Sequence, residues 1–413
     1  MSFWNRSQLK ELPGNLWVAS ATSFLTDISS EMVINILPLF LSSVLGVKTN
    51  IIGIIEGVAE ATSSVLKVFS GWLSDKLRTR KWLAVAGYGL SALAKPFFYF
   101  ANSWGAVAGV RWADRVGKGI RTAPRDALVA DNVKPEQRGL AFGLHRAADT
   151  AGALLGILIA AFIVWKLQAG SSALSEQTFR TVVLISLIPA FLAVIVLAVG
   201  TKEVRVGSEV RKVRISLKGL GRNFIIFLVI VGIFDLGNSS DAFLVLRAQE
   251  RGMSTLNILI MLAAFNLIYT LISTPAGSLS DKLGRRKLII GGWIVYALIY
   301  LGFALARSAV HVGLLYAAYG LYYGMAYGTA KAMVADLVPP EMRGTAFGTY
   351  NAILGILDFP ASVIAGLLWS GAGTWKGFGP SAPFYFGAGM ALLAVLLFIF
   401  WKPEPLQVEQ VGR

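Results

Sequence analysis

The chain has 413 residues, 55% hydrophobic and 15% charged, well below the roughly one quarter charged that is usual in soluble domains. The formal net charge of +15 does not point to nucleic acid, because many of the bases fall in short segments between apolar stretches. With no cysteine and two histidines, His145 and His311, disulfides, thiolate chemistry and a histidine-rich metal site are excluded.

Residues 1–12 are polar, and the apolar span that follows them is too long and too rich in internal acids for a cleaved leader. The first apolar stretch begins near Leu16. Roughly 20 mostly apolar residues cross a ~30 Å hydrocarbon core. On that measure the spans are 14–44, 50–74, 82–101, 105–128, 139–165, 180–200, 223–248, 256–280, 287–306, 311–335, 346–371 and 383–401. The expectation is an all-α integral membrane protein of twelve transmembrane helices. The longest polar linker, 201–222, separates two six-helix bundles, 1–200 and 223–413. Lys and Arg gather in 75–81, 129–138, 201–222 and 281–287, whereas 45–49, 102–104 and 371–382 hold at most one each. The positive-inside bias therefore places the basic loops and both termini in the cytoplasm of a cell (inner) membrane.

The two halves repeat. GWLSDKLRTRK from Gly71 returns as GSLSDKLGRRK from Gly277. DNVKPEQRGLAFG (131–143) matches DLVPPEMRGTAFG (336–348) at nine of thirteen positions. SSE (29–31) returns as SSD (239–241). Nearly constant separation implies two related bundles about a pseudo-twofold, the plan of transporters with a central site.

The two Gly-x-x-x-Asp-Lys-x-x-x-Arg-Lys loops resemble the signature between spans two and three of the major facilitator superfamily, and its copy between spans eight and nine. The resemblance implies a cytoplasmic gate carried by Gly71, Asp75, Lys76 and Arg80, and by Gly277, Asp281, Lys282 and Arg285. The Pro-Glu-x-Arg-Gly segments add Arg138 and Arg343 to it. RVGKGIRTA (115–123) resembles the fourth-span Arg-x-x-x-Gly-x-x-x-Ala motif, which implies a proton-transfer role for Arg115. GALLG (152–156) is similar to the fifth-span glycine motif of antiporters, with Ile157 where that motif has proline. The resemblance covers the whole chain and implies alternating access without naming a substrate.

A charge at mid-membrane costs about 2.5–3.5 kcal/mol on insertion scales, so ionisable groups there must face one another or water. Asp27 and Glu31 lie one turn apart on span one. Glu56, Glu60 and Lys67 follow one face of span two. Arg111, Asp114, Arg115, Lys118 and Arg125 form a row on span four. Asp235, Asn238 and Asp241 are expected on one face of span seven, and Lys331 is the base of span ten. Asp27, Glu31, Arg115, Asp235 and Asp241 are the candidate proton-coupling groups. Arg111, Lys118, Asn238, Lys331, Glu56 and Glu60 are the candidate cavity lining. The amino half carries most of the charge, which assigns coupling and gating to it and substrate selection to the carboxyl half.

No Walker phosphate loop, His-Glu-x-x-His, Gly-x-Ser-x-Gly or Cys-x-x-Cys occurs, so neither an enzyme nor a bound cofactor or metal is expected. The reading is a proton-coupled secondary transporter, an antiporter with efflux slightly favoured. Its partners are a small-molecule substrate, protons and the lipid bilayer, with no nucleic acid, and it acts as a monomer. The alternatives are uptake of an anionic metabolite or metal chelate, a receptor or lipid scramblase on the same fold, and a channel.

Overall fold

The computed structural model describes residues 12–77, 79–133, 138–168, 171, 173–203, 220–338 and 343–401. Among them there is no strand, only an isolated bridge between Ala372 and Trp375. Helix is the expected outcome in lipid, where every backbone polar group must be satisfied within its own segment.

The helices, in chain order, are α1 (Gly14–Ile34), α2 (Thr49–Leu77), α3 (Lys81–Ala94), α4 (Trp104–Asn132), α5 (Arg138–Gln168), α6 (Glu176–Gly200) and α7 (Arg222–Leu236). Then come α8 (Ala242–Glu250), α9 (Thr255–Leu283), α10 (Arg285–Leu305), α11 (Ala309–Tyr322), α12 (Gly328–Asp336), α13 (Arg343–Ser370) and α14 (Ala382–Phe400). Single π-helical turns sit at Phe40–Val44 and Tyr323–Tyr327. Serine side chains cap three helix starts: Ser103 accepts from the Ala106 N–H, Ser175 from Thr178 and Ser308 from His311.

Seven described helical segments are long and apolar enough to cross a membrane: Gly14–Val44, Leu144–Gln168, Glu176–Gly200, Thr255–Ser273, Arg285–Leu305, Ala346–Ser370 and Ala382–Phe400. Five of the twelve spans read from sequence fall short of that measure. Two of them, α2 and α4, carry the ionisable rows. The seventh is cut in two. Its expected continuous helix over 223–248 stops at Leu236 and restarts at Ala242, so Asp235, Asn238 and Asp241 flank a break instead of sharing a helical face. The cause is local. Gly237-Asn238-Ser239-Ser240 combines glycine entropy with side chains that compete for backbone hydrogen bonds.

Contacts divide the chain into two compact units. Unit 1 holds Met1–Val47, Val58–Arg211 and Ser254–Ala263, and unit 2 holds Lys48–Gly57, Lys212–Met253 and Ala264–Arg413. The start of α2 and the start of α9 thus depart from the division into 1–200 and 223–413. Within unit 2, a Cβ on Gly53 would lie 2.5 Å from the Ser362 carbonyl oxygen, so α2 meets α13 by backbone approach. Asn50 seals that contact by donating to the Gly371 carbonyl at 2.8 Å.

In unit 1, α1 packs along α5 and α6, and α3 along α4. A side chain at Gly152 or Gly156 would collide with the carbonyls of Phe24 or Ile28. The GALLG motif therefore brings α5 against the helix that carries Asp27. In unit 2, α10 packs along α14 and α7 along α14 and α13.

Candidate functional site

Unit 1 encloses a network of charges. Arg111, Asp114, Arg115 and Arg121 are all buried on α4. Glu60 of α2 closes the row: its Oε1 accepts from Arg115 Nη2 at 3.1 Å and lies 3.6 Å from Arg111 Nη2. Asp114 sits 4.0 Å from Arg111 on the same helix. Lys118, half-buried one turn further, lies within electrostatic reach of Glu60 and Arg115. One carboxylate thus bridges two buried guanidiniums, and Arg111, Asp114, Arg115 and Lys118 of the expected α4 row lie about it, whereas Arg125 pairs with Asp126 and Ser23 instead. Glu56 is buried and lies in the segment Lys48–Gly57 of unit 2.

Asp27 differs from these. No described side chain hydrogen-bonds to it or pairs with it at contact distance. Its charged neighbours at longer range are Asp149, Glu31, Arg121 and Lys118. Glu31 is held by its own helix, accepting from Asn35 Nδ2 at 2.9 Å.

Two further polar groups surround α1. Lys95 of α3, buried, donates to Ser29 Oγ at 2.6 Å and to Ser30 Oγ at 3.1 Å. Towards the start of α5, His145 Nδ1 meets Asp149 Oδ1 at 3.2 Å, and His145 Nε2 lies 3.4 Å from Ser23 Oγ. Arg125 donates to Ser23 at 2.9 Å and pairs with Asp126 at 2.8 Å. Sequence reading counted these charges but missed that Ser23, Ser29 and Ser30 are their partners. Serines on a helix that also carries Asp27 were the available signal.

The two repeated loops show the same bond in each unit. Arg80 Nε donates to Asp131 at 3.2 Å and its Nη1 to Ser74 Oγ at 2.9 Å. Arg285 Nε donates to Asp336 at 3.3 Å and its Nη1 to Ser280 Oγ at 2.5 Å. Alignment of the repeats sets Arg286 opposite Arg80, but Arg286 instead donates to the Phe398 and Ile399 carbonyls. Glu203, at the start of the linker, accepts from the backbone N–H of Arg80 at 2.8 Å and from Thr79 Oγ1 at 2.7 Å. Lys76 stacks its ammonium over the Trp72 ring at 4.9 Å, and Lys282 is exposed. Gly71 has only ordinary contact with Ala123. The side chains of Asp75, Arg138, Asp281 and Arg343, and the surroundings of Gly277, lie outside the described residues.

Unit 2 has a different character. Tyr296 and Tyr300 of α10 and Tyr316, Tyr319 and Tyr322 of α11 are buried, and with Tyr323, Phe234 and Phe265 they pack ring against ring, mostly edge-on, at centroid distances of 4.0–5.7 Å. Tyr319 donates to Asn238 Oδ1 at 3.2 Å and faces Asp241 Oδ1 at 3.5 Å. Tyr296 donates to the Gly237 carbonyl at 3.0 Å. Lys331 lies over the Tyr327 ring at 4.6 Å. Sequence reading named Asn238, Asp241 and Lys331 but not the tyrosines around them. Their spacing of three or four along α10 and α11 was visible, yet it is also the pattern of any buried helix face. Arg247, fully buried, was missed as well; it pairs with Glu250 at 2.7 Å and donates to the Phe303 and Ala304 carbonyls, tying α8 to the end of α10.

The Major Facilitator Superfamily model matches residues 19–359 and, in a second match, 224–413. The chain belongs to the Major Facilitator Superfamily. An uncharacterised MFS-type transporter of Methanocaldococcus jannaschii is 36% identical over 402 residues, 96% of this chain and 97% of that protein. The quinolone resistance protein NorA of Staphylococcus aureus is 26% identical over 197 residues, 46% of each chain. In fold, the chain resembles the nucleoside transporter NupG, with a TM-score of 0.77 at 13% identity, covering 93% of this chain and 99% of that one. This superfamily chain is therefore a multi-pass membrane transporter for small molecules, not an enzyme.

Proposed function

We propose that this superfamily member is a proton-coupled secondary transporter that exports a small organic solute by alternating access. It works as a monomer in the cell (inner) membrane with both termini cytoplasmic. Unit 1 handles coupling through Asp27, Glu31 and Arg115. The clasps Arg80–Asp131 and Arg285–Asp336, with Asp75 and Asp281, form its cytoplasmic gate.

The observation that carries this reading is the contrast between Asp27 and its surroundings. Around it, carboxylates and bases are engaged: Glu60 with Arg115, Asp149 with His145, Asp126 with Arg125. Asp27 alone in that set has no contact partner among the described residues, so it is free to take and release a proton. A ligand shifts an alternating equilibrium only by its differential affinity for the two states, and a proton on Asp27 changes the local charge by one. Export is favoured over uptake by the close α1–α5 packing at Gly152 and Gly156 and by the partial match to a resistance protein. Uptake of an anion loses support because Arg111 and Arg115 already serve Glu60.

The test uses purified protein in proteoliposomes, with candidate solutes and an imposed pH gradient. Solute movement should follow the gradient in the wild type, and Asp27→Asn should abolish that dependence. Unchanged pH dependence in Asp27→Asn, Glu31→Gln and Arg115→Gln would overturn the coupling assignment.

A further inference from the structure

The break between α7 and α8 has one feature that packing does not explain. Asp235 is buried at 7% exposure, and its Oδ2 has no hydrogen-bond partner. The Asn238 side chain bonds the carboxyl, and the nearest charge is another acid, Asp358. No described base pairs with Asp235. A buried carboxylate left half-satisfied beside a second acid is costly unless a cation or proton completes it.

What surrounds this carboxyl limits the choice. Tyr322 lies within electrostatic reach of both Asp235 and Asp241. The Phe234, Tyr296 and Tyr319 rings pack against Tyr322 at 5.6, 4.9 and 5.4 Å. Asn238, Asp241 and Tyr323 are half-buried, so the cluster has an accessible edge there. The chain end at Leu236 presents the carbonyl, negative pole of α7. At the start of α8, Ser240 Oγ accepts from the Ala242 N–H at 3.3 Å. Lys331 of the same unit lies over the Tyr327 ring.

We propose that the Gly237–Asp241 break, with Asp235 and the Tyr319–Tyr323 rings, binds the ammonium group of an organic monocation, the solute this transporter moves. The carboxylate and the aromatic faces together suit a large, weakly hydrated cation, for which cation–π contact is strongest when desolvated. A divalent metal fits poorly, since no group of three or more acids, histidines or cysteines converges among the described residues. A small inorganic ion would need a fuller oxygen shell than one carboxylate and a few carbonyls, and it gains little from rings. The assignment rests on the transporter reading above and takes Asp235 and Asp241 out of the coupling set, leaving coupling to unit 1.

Binding is tested on the full chain in detergent or nanodiscs, without any gradient. The probes are benzyltrimethylammonium, its neutral carbon isostere neopentylbenzene, and sodium at constant ionic strength, read by calorimetry and melting temperature. Benzyltrimethylammonium should bind and the isostere should not. Asp235→Asn should weaken binding at least tenfold, Tyr322→Leu similarly, and Tyr322→Phe less than threefold, because phenylalanine keeps the ring face. If Asp235→Asn fails to fold, the Leu and Phe pair at Tyr322 decides. Sodium binding in place of the ammonium, equal binding of the neutral isostere, or no binding of any probe would overturn the proposal. Gradient-driven transport of a neutral or anionic solute with no ammonium binding would overturn the substrate class and leave the transporter reading standing. Ammonium binding without gradient-driven transport would do the reverse.

Discussion

The two units solve the problem of polarity in a membrane by opposite means. Unit 1 buries full charges and gives each a close polar partner: Glu60 lies between Arg111 and Arg115, Arg125 pairs with Asp126, and Lys95 donates to two serine hydroxyls. Unit 2 buries few charges and surrounds them with neutral hydroxyls and rings. A charge network fails when one member is removed, because its partner is stranded in a medium that does not solvate it. A ring cluster fails by degrees, since a lost hydroxyl leaves the packing intact. The sequence asymmetry in charge thus becomes a difference in how each unit tolerates change.

The sharpest way to break this comparison is Glu60→Ala. It leaves Arg111 and Arg115, both nearly fully buried, without the carboxylate they share. Removing one partner of a buried pair typically costs about 3–5 kcal/mol. A large fall in melting temperature is expected, with partial recovery in Glu60→Gln combined with Arg115→Gln. If Glu60→Ala melts like the wild type, unit 1 is not a mutually dependent network.

The Arg80–Asp131 and Arg285–Asp336 clasps test whether one bond means the same in both units. The Arg80 side chain is 7% exposed and Asp131 33%, whereas Arg285 is 27% and Asp336 53%. Charge-assisted hydrogen bonds in sheltered sites contribute about 1.5–3 kcal/mol, and exposed ion pairs roughly 0.2–1 kcal/mol. Arg80→Ala should therefore destabilise by about 2 kcal/mol and Arg285→Ala by less than half of that, measured by thermal unfolding at fixed detergent and salt. Raising the salt should narrow the Arg285 effect more than the Arg80 effect. Equal costs would mean that the surroundings of the two arginines do not differ in energy.

Much of this was legible beforehand, for stated reasons. Helical spans are visible because lipid imposes length and apolarity. The repeat at Gly71 and Gly277 marks two equivalent loops, and in each an arginine bonds an acid 51 residues on, Arg80 to Asp131 and Arg285 to Asp336, pairs that the motif itself does not name. The α4 row was legible because charges at three- and four-residue spacing share a face. Three things were hidden. The break at Gly237–Ser240 was read as helix because the apolar stretch continues on both sides and averages over four polar residues. The serine partners of Lys95 and Arg125 were hidden because they lie on another helix, and pairing across helices leaves no spacing signal. The choice of Arg285 over Arg286 was hidden because a helix start at Gly284 turns adjacent residues in different directions.

A smaller effect probes unit 2. Tyr319→Phe removes the donor to Asn238 and Asp241 but keeps the ring among Tyr296, Tyr322 and Tyr323. A single neutral hydrogen bond is worth about 0.5–1.5 kcal/mol. The melting temperature should drop slightly, whereas Tyr319→Ala should cost several times more through lost packing. If the phenylalanine variant is as damaged as the alanine one, unit 2 depends on its polar bonds after all.

The smallest expected effect lies where the linker begins. Burial at Glu203 works against ionisation, but the backbone N–H groups of Arg80, Lys81 and Trp82 and the Thr79 hydroxyl outweigh it and hold the carboxyl below its usual range. The carboxylate caps the start of α3, where the helix dipole also favours a negative charge. A group with a depressed folded pKa stabilises the fold above its unfolded value, about 4.3 for glutamate, and loses that contribution as pH falls through the folded one. The melting-temperature gap between wild type and Glu203→Gln should therefore be small and constant at neutral pH and close progressively in acid. The Arg80 clasp, whose backbone Glu203 holds, should loosen over the same window. A gap that widens as pH falls would mean that Glu203 is protonated in the folded protein and that its charge does not fasten it to residues 79–82.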